Sequence, residues 1–198
     1  MTGRTAAAIA LALSVSACVS TQDKIAAIKA VNGVFCGRYE SIISERGMRI
    51  VHVPREDAYT AMRATLAGLG MTLEDQNPKL GIFSVYATAP LPLNRAEWEK
   101  VAETDLPLLR SIAEPHIGWL TTQFLNFEPA GLQVVITATV TDVAGGSAVS
   151  LTVRLREIKP PTSGFPRREC LSPNALTSGL DKIWAEFDRE LVGARTKS

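Results

Sequence analysis

Between residues 132 and 155 the chain alternates apolar and polar side chains almost without a break. Leu132, Val134, Ile136, Ala138 and Val140 interleave with Gln133, Val135, Thr137, Thr139 and Thr141. After Ala144-Gly145-Gly146-Ser147, the apolar set Val149, Leu151, Val153 and Leu155 interleaves with Ser150, Thr152, Arg154 and Arg156. Successive side chains of a strand point to opposite faces, so this stretch predicts a hairpin with one face to bury and one to leave in water. Whatever fold the chain adopts must therefore supply a cover for one side of an antiparallel sheet.

The last third of the chain contains that cover. Leu176, Leu180, Ile183, Trp184, Phe187 and Leu191 recur at helical spacing, predicting a core-facing helix over Pro173 to Leu191, with Ser172 as its cap and Pro173 at its first position. Upstream, Arg49-Ile50-Val51-His52-Val53 is a short β-branched run ended by Pro54. Pro54, Glu56 and Asp57 suit a helix start, and Tyr59, Met62, Leu66 and Leu69 make its apolar stripe. Asp75 to Lys79 predicts a turn into a strand over Leu80 to Ala87, which Ala89-Pro90-Leu91-Pro92-Leu93 closes.

Arg95 to Ala113 predicts a helix interrupted near Pro107, with Trp98, Val101, Leu109 and Ile112 buried. Trp119 to Phe127 fits either a helix continuation or a strand, and the turn-like Glu128-Pro129-Ala130-Gly131 beyond it favours a strand. The fold class expected is α+β, an antiparallel sheet with helices packed on one face.

The start of the chain has a different logic. Met1-Thr2-Gly3-Arg4 is a short positive segment, Ala6 to Val15 is apolar, and Val15-Ser16-Ala17 places small or modest side chains before Cys18. An apolar run of about ten residues is too short to cross a hydrocarbon core of roughly 30 Å, so it reads as a cleaved export signal. Val15-Ser16-Ala17-Cys18 resembles the lipobox of bacterial lipoproteins. The resemblance implies that Cys18 receives a diacylglyceryl thioether, becomes the new N-terminus and anchors the protein in a membrane through several acyl chains. Val19 in place of an aspartate implies outer-membrane sorting, with the domain facing the periplasm. Ordinary secretion after the small-x-small site is the alternative.

Cysteine arithmetic supports the anchor. The chain has three cysteines, and lipidation of Cys18 leaves the even pair Cys36 and Cys170, expected as one disulfide in an oxidising compartment, with two free buried thiols as the alternative. The expected organisation is a signal peptide over 1–17, an anchor and partly helical tether over 18–47, and one α+β domain over 48–198.

Val53-Pro54, Leu69-Gly70-Met71-Thr72-Leu73 and Pro78-Lys79-Leu80-Gly81-Ile82, at the joints between these elements, resemble small envelope lipoproteins with a helix-grip domain. The C lipoprotein of the β-barrel assembly machinery is of that kind. The resemblance spans roughly residues 48–192, treats 89–131 as an insertion, and implies a structural or accessory envelope role with no catalytic residues to carry over.

Chemistry-bearing residues are sparse. His52 and His116 are the only histidines, and neither they nor Cys36 and Cys170 have the close spacing of a metal site. No G-x-S-x-G elbow, phosphate loop or dinucleotide fingerprint occurs. Glu97, Glu99, Glu103 and Asp105 are expected on a solvated helix face, Arg167-Arg168 on a solvated surface, and Trp98, Trp119 and Trp184 in the core. Without Arg4 the acidic and basic side chains balance, which leaves no broad footprint for nucleic acid.

The sequence thus points to a non-catalytic, lipid-anchored envelope protein without cofactor or metal. It would bind another envelope protein or the cell wall through the open sheet face, the insertion, or the proline-rich Lys159 to Pro166 loop. A lipid-anchored hydrolase whose residues converge only in three dimensions is the competing expectation.

Overall fold

The computed structural model describes residues 19–161 and 165–195. Cys18 and the segment before it lie outside the described residues, as does part of the Lys159 to Pro166 loop. The elements, in chain order, are α1 (Thr21–Arg46), β1 (Met48–Val51), α2 (Arg55–Gly68), β2 (Thr72–Asn77), β3 (Ile82–Thr88), α3 (Arg95–Thr122), β4 (Leu132–Val143), β5 (Gly146–Glu157) and α4 (Pro173–Arg195).

The alternating segment forms the predicted hairpin. β4 pairs with β5 from Leu132↔Glu157 to Val143↔Gly146, leaving Ala144 and Gly145 as the turn. This register sets Val134 beside Leu155, Ile136 beside Val153, Ala138 beside Leu151 and Val140 beside Val149, so the apolar residues of both strands share one face. The whole sheet is antiparallel in the order β1-β5-β4-β3-β2. Phe83 and Val85 of β3 extend the buried face, and Leu176, Leu180, Ile183, Trp184 and Phe187 of α4 pack in the same core. The structure is the α+β arrangement expected, with helices against one face of an antiparallel sheet.

Residues 19–47, expected as a tether, instead contribute the long helix α1 to that core. Ser20 caps it: its hydroxyl accepts from the Asp23 amide at 3.1 Å, while the Asp23 carboxylate accepts from the Ser20 amide at 3.2 Å. Ala27, Ile28, Val31 and Phe35 are buried, and the far end is tied to α4, where Trp184 Nε1 donates to the Arg46 carbonyl at 2.7 Å. Among the described residues the packed body therefore includes Val19 and α1 and is not confined to 48 onward.

Two other segments differ from expectation. β2 is an edge strand exposed along its whole length, so it lacks the apolar alternation that marks a half-buried strand. The helix beginning at Arg95 passes both Pro107 and Pro115 and reaches Thr122, with a break at Gly118, whose φ of 76° is a left-handed conformation suited to glycine. Trp119 to Phe127 is consequently not a strand: it finishes α3 and then runs irregularly, with Phe127 stacked on Phe35 of α1 at 6.3 Å between ring centroids.

Candidate functional site

Two surfaces could engage another molecule, and each follows from how the elements meet. The first is a cleft of about 480 Å³ between α1, the end of α3 and the segment leading to α4. Ile28, Leu109, Phe124 and Leu125 supply apolar wall, and Arg167 and Arg168 supply charge.

Arg168 departs from the solvated surface expected for it. Its guanidinium carbon lies 4.1 Å from the Phe127 ring centroid and 6.0 Å from that of Phe35, a cation–π arrangement inside the fold. Nη1 is buried with no hydrogen-bond partner among the described residues. Burial pushes its pKa down to about 10, opposed by the carboxylate of Asp105 and reinforced by Arg167, so the side chain remains cationic at neutral pH. Arg167 reaches the Lys159 carbonyl through Nη2 at 3.1 Å and lies 3.6 Å from Glu157. It passes so close to Gly131, at φ 79°, that a Cβ there would stand 2.6 Å from Nη2.

The acidic stretch on α3 is likewise divided. Glu99 pairs with Arg95 in solvent, whereas Asp105 is 2% exposed. Asp105 accepts from the Asn174 backbone amide at 3.0 Å and from Asn174 Nδ2 at 2.6 Å, satisfying donors at the start of α4. Ser172, expected as the cap, has a buried hydroxyl without a partner among the described residues, although its carbonyl accepts from the Leu176 amide. A carboxylate from another helix thus does the capping that local sequence assigned to the serine.

The second surface is the uncovered face of the sheet. Rows run across it as Met48–Ser150–Thr139–Ile82, Thr152–Thr137–Ser84 and Arg154–Val135–Tyr86. Ser84 and Thr137 hydroxyls are hydrogen-bonded at 2.9 Å, and Met48 and Ile50 on the edge strand are 56% and 60% exposed. At the other end Arg156 of β5 grips Glu74 of β2 in two hydrogen bonds of 2.6 and 2.9 Å. Those strands stand three spacings apart, about 14 Å in a flat sheet, so two long side chains reach across the face to meet over β4 and β3. The Arg156 hydrogen bonds hold the Glu74 carboxyl below the usual carboxylate range.

The structure brings Cys36 and Cys170 to bonding distance, with sulfurs 2.09 Å apart and Cα atoms 5.3 Å apart. It brings no histidine into the Arg167–Arg168 cleft. Among the described residues no group of three or more His, Cys, Asp or Glu could hold a metal ion. No described helix is long and apolar enough to cross a membrane. Trp98 and Trp184 are buried as expected, but Trp119 is 61% exposed. Its neighbours Leu120 and Phe124 are 65% and 82% exposed.

The stacking of Arg168 on Phe127 and the capping role of Asp105 have no local signal. Each depends on a partner from a distant part of the chain. The chain matches no protein-family model, and no curated protein shows significant sequence similarity to it.

Proposed function

We propose that the protein is a lipid-anchored component of the bacterial outer membrane, held through Cys18, whose domain binds or scaffolds another envelope component without catalysing a reaction. The observation that supports this most is the uncovered face of a five-stranded sheet. Its other face is occupied by the domain's own core, while this one presents hydroxyl rows, the Arg154 cation and exposed Met48 and Ile50. Threonine and serine rows provide hydrogen bonds, and apolar side chains at the edge provide area that a partner can bury.

The experiment is site-specific photocrosslinking in intact cells. Probes at Met48 and Thr152, on the face, are expected to give discrete adducts with an envelope protein or with cell-wall fragments. A probe at Lys100, exposed on α3, serves as the control. Absence of adducts from the face, or the same adducts from Lys100, would remove the assignment of this surface.

A further inference from the structure

We infer that Trp119, Leu120 and Phe124 form an apolar knuckle that enters the phospholipid interface beside the acyl anchor and fixes the orientation of the domain on the membrane. This rests on the lipid-anchor proposal, and it assigns a second membrane contact to residues that the packing leaves outside.

The argument begins with direction. Trp98, near the start of α3, donates from Nε1 to the Phe127 carbonyl at 3.3 Å, and Phe127 stacks on Phe35 of α1. Farther along α3, Leu109 shares the cleft with Ile28, which lies about 10 Å nearer the start of α1 than Phe35. The two helices therefore run antiparallel. The remainder of α3, through Ala113 and Ile117, continues toward the end of the domain from which Val19 enters the core. Cys18 is the residue before Val19.

At that end α3 breaks at Gly118, and the next turn carries its large apolar residues outward. Trp119, Leu120 and Phe124 lie within six positions of one another, and Ile25, in the second turn of α1, is 50% exposed at the same end. Ile25 shares a groove with Lys29, an exposed cation one turn along α1, and with Glu169, while Arg167 in the same groove is turned to Glu157. Exposed Trp, Leu and Phe side chains suit the headgroup boundary of a bilayer, where ring and aliphatic groups leave water, and an exposed lysine such as Lys29 can meet lipid phosphate there. Against a membrane already held by acyl chains, the knuckle adds orientation and not the primary attachment.

The three tryptophans make the test selective, because Trp98 and Trp184 are buried and only Trp119 can meet lipid. The full lipidated protein is reconstituted into phosphatidylethanolamine–phosphatidylglycerol vesicles with brominated or ordinary acyl chains. Brominated chains are expected to quench part of the tryptophan emission. Trp119→Phe should abolish that loss, and Leu120→Ser combined with Phe124→Ser should diminish it while the protein still floats with the vesicles. Flotation of the wild type without any bromine-dependent loss would leave the anchor standing and overturn the knuckle. Failure of the wild type to float would overturn the anchor and the inference with it.

Discussion

Asp105 of α3 accepts both the backbone and side-chain amides of Asn174, joining the middle of one helix to the first turn of another. The buried carboxylate also faces Arg168, whose guanidinium rests on Phe127. Three elements therefore share one set of polar contacts: α3, α4 and the segment between β5 and α4.

Asp105→Ala is expected to destabilise the fold by about 1–3 kcal/mol, the range for removing a helix cap and leaving buried donors unpaired. Urea unfolding checks this. In a cycle with Asn174→Ala the two losses should be non-additive, because both substitutions remove the side-chain hydrogen bond, while the backbone bond is lost only with Asp105. Additive losses would show that the Asn174 side chain and Asp105 are not coupled.

Glu97 predicts a pH dependence. Its carboxylate accepts from Lys182 at 2.6 Å and from the Asn94 backbone amide at 2.7 Å, which holds its pKa below the usual 4.5. A depressed folded-state pKa contributes stability that is present above the unfolded value and lost as pH falls through the folded one. The group is over a third exposed, so solvent screening keeps the effect small. Glu97→Gln should cost about 0.5–1 kcal/mol at pH 7. Below the folded-state pKa the difference from wild type should vanish, as urea midpoints at the two pH values would show.

Cys36 and Cys170 are 134 residues apart in sequence and sit within bonding distance. A bond there fixes α1 to the start of α4 and closes most of the domain into one loop. Cys36→Ala with Cys170→Ala should lower stability by roughly 4–5 kcal/mol if chain entropy dominates. Reductant should lower the urea midpoint of the wild type and leave that of the double variant unchanged. Two free thiols in the denatured, unreduced wild type would contradict the bond.

The parts of the fold legible in the sequence are those whose signal is local. The Leu132–Leu155 alternation requires only that one face be covered, and the α4 stripe shows what covers it. β2 has no such signal, since all of Thr72–Asn77 is exposed and its pairing with β3 alone makes it a strand. In α1 the buried residues Ala27, Ile28, Val31 and Phe35 sit among exposed and half-buried apolar side chains such as Ile25 and Val34, so no clean stripe separates core from solvent. Trp119 resembles the other two tryptophans until the break at Gly118 turns its helix segment outward. Arg168 is one of a basic pair by sequence and a half-buried cation only because Phe35, Phe127 and Asp105 converge on it. Of the proposed functional residues, the Cys36–Cys170 pair is legible from cysteine arithmetic, the open sheet face from the alternation, and Cys18 only as a resemblance to a lipobox, whereas the knuckle requires tertiary placement.

Attachment through Cys18 underlies the proposed function, and metabolic labelling of cells with a clickable fatty acid measures it directly. The wild type and the Cys36→Ala, Cys170→Ala variant should incorporate the label and fractionate with the outer membrane, while Cys18→Ala should carry none. Label retained by Cys18→Ala, or absent from the wild type, would contradict the lipid anchor.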